Sequence, residues 1–155
     1  MPATQSQADE QVRIERNYPV AIEKVWQAWT DPQALSRWFG ASNEGSTTSA
    51  EVDLRAGGRY RITTTLADGK TNDVSGEYQV VEVRHRLVFS WAWRSTPDRV
   101  SRVSIHFVAR EDGTTDLHFV HDRFFDAQAR QNHERGWQTL FVHLDACIQN
   151  PSEGH

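Results

Sequence analysis

The sequence predicts an α+β fold. About six to seven antiparallel strands form a curved sheet wrapped around one long C-terminal helix, with two short helices after the first strand. Three observations carry this expectation. From residue 50 onward, apolar residues recur at every second position, the period of a strand with one buried face. The closing stretch HERGWQTLFVHLDACIQN instead sets Trp137, Leu140, Phe141, Leu144 and Ile148 at three- and four-residue steps, the stripe of an amphipathic helix. An antiparallel sheet must cover its apolar face, and this helix has the matching surface.

The elements follow in order. MPATQSQADEQ is polar and has no hydrophobic signal core, so residues 1–11 are expected to form a disordered tail. VRIERNY sets Val12, Ile14 and Tyr18 against charged positions and reads as a strand. PVAIEKVWQAWT carries Ile22, Val25, Trp26 and Trp29 at helical spacing. Asp31 and Pro32 are a helix cap and a first-turn proline. They open a second short helix with Leu35, Trp38 and Phe39 as its apolar residues. AEVDLRAGGRYRITTTL is a strand pair or one bent strand, with Gly57 and Gly58 at a bulge or corner. Asp68-Gly69 marks a turn. VSGEYQVVEV and RLVFSWAWR are strands, and in the second Leu87, Phe89, Trp91 and Trp93 share a face. VSRVSIHFVAR and TDLHFVHD complete the sheet, and a helix runs from about 127 to 149. One domain over 12–149 and a C-terminal tail over 150–155 complete the organisation.

The last hairpin permits a finer expectation. A two-residue loop at Asp112-Gly113 would pair Phe107 with His118 and mix apolar with polar residues on both faces. An odd-length loop with Gly113 at a bulge places Ile105 and Phe107 with Leu117, Phe119 and His121. Register follows the buried face, so the odd loop is expected.

Composition excludes several functions. Seventeen basic against twenty-one acidic residues give a net charge of -4, the wrong balance for a generic nucleic-acid binder. No apolar run reaches the length of a membrane span, and the expected location is the cytoplasm. A single cysteine, Cys147, excludes an internal disulfide and a multi-cysteine metal site. On the flank of the apolar stripe it reads as an inert small hydrophobe.

Five segments in order, VWQAWTDPQALSRWFG, EVDLRAGGRYRI, SGEYQVVEVRHRLVFSW, TDLHFVHDRF and HERGWQTLFVHL, resemble the activator of heat-shock-protein-90 ATPase homologue family. The resemblance covers roughly residues 12 to 149. That family belongs to the START-like SRPBCC superfamily, whose helix-grip fold is shared with the birch pollen allergen. It implies a cavity between sheet and C-terminal helix that holds hydrophobic or aromatic small molecules. It also implies that heat-shock activation belongs to eukaryotic relatives in which this domain follows a separate N-terminal domain. No such domain is expected here, so a chaperone partner is doubtful. Elsewhere in the superfamily the cavity serves lipid transfer, ligand sequestration, or cyclase and hydrolase chemistry.

No H-E-x-x-H or paired-cysteine motif is present, and His118 and His121 lie three apart on a strand, on opposite faces. No metal and no cofactor is therefore expected. His85, His106 and His118 read as solvated. His121 and His133 both fall on the cavity side. Each is either a histidine that ties down a loop or caps a carbonyl, or an imidazole facing a ligand and a weak candidate for a general base. Asp53 and Arg55 read as an ion pair that fixes the strand at the Gly57-Gly58 corner. Glu77 reads equally as a cavity carboxylate or a surface residue. Trp26 and Trp29 are expected to pack the short helices onto the sheet.

The favoured function is binding of an apolar or aromatic small molecule by a monomer or homodimer. The expected lining is Trp38, Phe39, Trp91, Trp93, Phe107, Phe119, His121, His133, Gly136, Trp137, Phe141 and Leu144. A cavity enzyme using a histidine base and a chaperone-interaction module are the alternatives. Gly136 has its own question, because glycine inside a helix costs roughly 1 kcal/mol relative to alanine. A side chain there is expected either to collide with the sheet or to occupy cavity volume.

Overall fold

The alternation and stripe resolve into ten elements in a computed structural model that describes residues 11–39 and 45–149. The strands are β1 (Val12–Tyr18), β2 (Thr47–Val52), β3 (Arg59–Thr65), β4 (Thr71–Glu82), β5 (Arg86–Trp93), β6 (Ser101–Ala109) and β7 (Thr115–Asp122). The helices are α1 (Ile22–Thr30), α2 (Pro32–Trp38) and α3 (Ala127–Gln149). Both expected tails, except Gln11, lie outside the described residues. The strands form one antiparallel seven-stranded sheet in the order β1-β7-β6-β5-β4-β3-β2. The chain thus starts at one edge and crosses through α1 and α2 to the other. It then meanders back until β7 meets β1.

Local chemistry explains the boundaries. The Asp31 backbone N–H donates to Gln27 O at 2.9 Å and closes α1. Its side chain accepts from Gln33 N, and Pro32 then opens α2. The Trp38 indole N–H donates to Ala28 O at 2.9 Å and locks the two helices together. At the corner between β2 and β3, Arg55 and Asp53 form an exposed ion pair at 3.0 Å. Gly57 N donates to Tyr78 O, and Tyr78 N donates back to Gly58 O, each at 2.8 Å. The glycine corner is therefore sewn onto β4.

The β6–β7 register pairs Phe107 with Leu117, Ile105 with Phe119, and Val103 with His121. This is the odd-length loop, with Gly113 at φ 88° closing it through Gly113 N to Arg110 O. On β4, a Cβ at Gly76 would stand 1.9 Å from the Ser90 carbonyl oxygen, so only glycine lets β4 and β5 approach this closely.

The core lies between the sheet and α3. Trp137, Phe141, Leu144 and Ile148 are the buried residues of α3. Trp29 of α1 is an aromatic hub, with centroids 5.0 Å from Trp38, 5.9 Å from Phe119 and 6.0 Å from Phe141. Trp26 meets Phe107 edge-on at 5.2 Å, so both tryptophans do pack the short helices against the rest of the fold. At the far end of α3, Tyr18 donates its hydroxyl proton to Asp145 at 2.6 Å, and Arg16 pairs with the same carboxylate at 3.1 Å. These contacts fasten α3 to the edge strand β1.

Candidate functional site

Alternation on β5 turns Trp91 and Trp93 toward α3, and alternation on β7 does the same for His121. Helical spacing on α3 presents His133, Gly136, Trp137 and Leu140 to them. These residues meet in one hydrogen-bonded cluster. The Trp137 indole N–H donates to His121 Nδ1 at 2.9 Å. That lone pair being used, the His121 proton sits on Nε2 and is shared with Ser101 Oγ at 2.6 Å. Ser101 in turn donates to the Trp91 carbonyl at 3.3 Å. In the second histidine, Nε2 accepts from the Trp93 indole at 3.0 Å, and Nδ1 donates to Ala129 O at 2.7 Å. The two imidazole rings are 5.1 Å apart, and Phe124 lies 4.4 Å from one and 5.1 Å from the other.

This arrangement fixes both histidines as neutral. Burial holds His121 well below the usual imidazole value, and neighbouring His133 pushes it further down. Burial also lowers His133. Protonating either ring would set a new N–H against an indole N–H. In each ring the acceptor nitrogen takes an indole proton and the other nitrogen donates, so both imidazoles are fully hydrogen-bonded.

The space between sheet and helix differs from the expected open cavity. Its central part holds about 20 Å³, among Trp29, Trp38, Phe39, Tyr60, Trp91 and Trp137, which is room for one water. The aromatic rings that were to line a cavity fill it instead. Phe119 and Trp137 stand 4.6 Å apart, Trp91 and Trp137 5.1 Å, and Phe39 and Trp91 6.0 Å.

Open volume lies at the rim, in two limbs. One, of about 190 Å³, is walled by Trp91, Trp93, Asn132, His133, Gly136, Trp137 and Leu140. The other, of about 300 Å³, runs past Trp91, Trp93, Arg99, Phe124, Phe125 and His133. Both touch Trp91, Trp93, Asn132 and His133, so the Trp93–His133 hydrogen bond stands at their junction. A Cβ on Gly136 would meet nothing within 4 Å. Collision with the sheet is therefore not its reason, and a larger side chain there would project into the smaller limb.

The expected lining divides accordingly. Trp91, Trp93, His133, Gly136 and Trp137 wall the rim cleft. Of these three spaces, Trp38 and Phe39 line the small central one. Phe107, Phe119, Phe141 and Leu144 are corrected to core residues. Each is at most 2% exposed, and none lines these three spaces. His121 sits behind Trp91 and Trp137 and lines none of them either. Asn132, Leu140, Phe124, Phe125 and Arg99 were missed. Leu140 lies one helical turn from Gly136 and Phe124 lies two residues past the end of β7, so spacing held a signal for both. Arg99 sits on a loop, where no period operates.

The opposite face of the sheet carries a polar groove of about 880 Å³ that includes Arg59, Arg61, Asp73, Glu77 and Arg94. Hydrogen bonds from Arg61, at 2.7 Å, and from Thr63 hold the buried Asp73 carboxyl down at about 2. Arg94 adds a 3.5 Å ion pair, and exposed Glu77 faces Arg59 at 4.0 Å. Glu77 is therefore a surface residue. The charges of this groove satisfy one another and fasten β3, β4 and the end of β5. Among the described residues, no group of three or more metal-ligating side chains is placed to hold an ion, and no helix is long and apolar enough to cross a membrane.

No curated protein matches the chain, but its likeness to solved structures is broad. A protein from Chromobacterium violaceum is 25% identical with a TM-score of 0.78, covering 90% of this chain and 98% of that one. An AHSA1-like protein from Aeromonas hydrophila is 25% identical with a TM-score of 0.74, covering 94% and 95%. An HSP90 activator from Plasmodium falciparum is 25% identical with a TM-score of 0.70, covering 90% and 95%. The family model described as Activator of Hsp90 ATPase homolog 1-like protein matches residues 19–149. With that span and with a START-like helix-grip sheet closed by α3, this chain belongs to the Activator of Hsp90 ATPase homolog 1-like family.

Proposed function

We propose that the protein binds an apolar or aromatic small molecule in the rim cleft astride Trp93 and His133. The observation that carries this reading is the smaller limb itself. Four aromatic rings converge there, from β5 and α3, beside a glycine whose missing side chain leaves the space open. A ligand would stack on Trp91, Trp93 and Trp137 and gain the usual apolar burial. The reading needs no proton transfer, which suits two histidines already occupied by indole donors. Native mass spectrometry of the purified protein, with an NMR screen of apolar fragments, tests it. A bound mass or shifts at the Trp93, His133 and Trp137 signals are expected. A library that moves none of them would end the proposal.

A second reading is docking to an HSP90-type chaperone, supported by the likeness to the Plasmodium falciparum activator across most of both chains. It would use the outer surface, where large apolar side chains such as Val83, Val100, Val108, Phe125 and Val142 are exposed. The direct test is the ATPase rate of a purified HSP90 chaperone with and without this protein. An unchanged rate and no complex by calorimetry would remove this reading and leave the first untouched.

A further inference from the structure

The donors inside the cluster are unequally served. The indoles of Trp38, Trp93 and Trp137 each find a partner at 2.9–3.0 Å. The indole nitrogens of Trp29 and Trp91 are buried and have none among the described residues. Buried tryptophan N–H groups normally reach an acceptor, so two orphans around one small space are a pointed exception. Their positions differ. Of the three spaces, Trp29 borders the central one of about 20 Å³. Trp91 borders that space and both rim limbs. It is the one residue at which all three meet, and it is only 3% exposed.

None of the described polar atoms accepts from it. Ser101 Oγ already lies between His121 and the Trp91 carbonyl. The Tyr60 hydroxyl donates to Ser90 O at 2.6 Å and makes no hydrogen bond with the Trp91 nitrogen. Both imidazole lone pairs are filled by the other indoles. An indole N–H can only donate, so its missing complement is an acceptor that the described residues do not supply.

We infer that the cleft selects ligands carrying a hydrogen-bond-accepting oxygen, a carbonyl or ether, on a compact aromatic or apolar body, and that Trp91 Nε1–H receives that oxygen. This rests on the binding function proposed above and names the ligand class for the same cleft. The body stacks among the rings of the smaller limb while the oxygen points inward to Trp91. Charge selection at the mouth is weak. Arg99 lies over the Phe125 ring at 4.0 Å and Asp126 lines the same limb, so the two signs offset each other and a neutral ligand suits the site.

The test is a matched pair of probes, 1-indanone against indane and fluorenone against fluorene, titrated into the full chain and followed by the tryptophan indole signals in NMR. Each pair differs by a carbonyl in place of a methylene. The ketone is expected to bind about three- to tenfold tighter than its hydrocarbon. It should also move the Trp91 indole proton downfield, that signal being assigned by its loss in Trp91→Phe. In Trp91→Phe, which keeps a ring but removes the donor, ketone and hydrocarbon should bind alike. Equal affinity of the two in the wild-type protein, or a Trp91 signal unmoved by bound ketone, would overturn the selection while leaving apolar binding in place. Should Trp91→Phe not fold, the wild-type comparison still decides. If neither probe binds and the Trp93 and Trp137 signals also stay still, the binding function itself fails.

Discussion

Two glycines set the residue scale. Gly76 sits where a Cβ would strike the Ser90 carbonyl, and Gly136 sits where a Cβ would strike nothing. Gly76→Ala should therefore lose about 1–3 kcal/mol or more, as the β4–β5 ladder is forced apart. Gly136→Ala should gain about 0.5–1 kcal/mol from helix propensity. Urea unfolding of the two variants checks both signs. Gly136→Leu should fold normally yet lose binding of apolar probes, because its side chain enters the smaller limb. His121 is the residue whose loss is most exposed to physics. His121→Phe keeps a ring but leaves the Trp137 indole without its acceptor, and a buried unpaired donor costs about 1–3 kcal/mol. A variant as stable as wild type in denaturant titrations would show that the indole finds another partner.

At the scale of elements, the decisive contacts are those that hold α3 against the sheet. At its far end the Asp145 carboxylate accepts from the Tyr18 hydroxyl, and Tyr18 is fully buried. This contact also pushes the Tyr18 phenol above its ordinary range, after burial as the larger cause. Asp145→Ala should cost about 1–3 kcal/mol through the stranded hydroxyl, while the half-exposed Arg16 contributes little of its own. On the outer face, Asp73 fastens β3, β4 and the end of β5 through Arg61, Thr63 and Arg94. Its carboxyl titrates at about 2, below the ordinary carboxylate value, so its contribution is present above about pH 4 and fades as pH falls toward 2. The melting-temperature gap between wild type and Asp73→Asn should accordingly be widest near pH 5 and shrink on acidification.

The whole molecule combines these into one pH profile. The fold holds His121 and His133 neutral, with both lowered below the usual imidazole value. Once unfolded, both take up protons as pH falls below about 6.5. Stability is therefore level above that pH and declines as pH drops through the interval down to the folded values. For deeply buried His121 the slope approaches about 1.4 kcal/mol per pH unit. Urea midpoints at pH 7.5 and 5.5 measure it. His121→Phe should flatten the profile over that range, and an equal slope in both proteins would place the dependence elsewhere. Acid below pH 4 should bring a second decline as Asp73 is protonated.

The order and kind of the elements were legible along the chain, because period, caps and turn residues are local. The two-residue alternation of Leu87, Phe89, Trp91 and Trp93, the Asp31-Pro32 junction and the 127–149 stripe all reappear where spacing placed them. Even the odd register of the last hairpin was legible, since a slip would have turned His118 inward and Phe107 out of its pairing with Leu117. What spacing could not decide is whether a concave face is full or empty. Trp93, His133 and Gly136 read the same way along the chain as Phe119, Phe141 and Leu144. Yet the first three border open volume, and the last three are core. Which face a side chain takes depends on its own few neighbours in sequence. Free volume and donor pairing depend on how rings from α1, β5, β7 and α3 close upon one another. Those contacts sum only in three dimensions, where they leave a cleft at the rim, a filled centre, and a Trp91 N–H without a partner among the described residues.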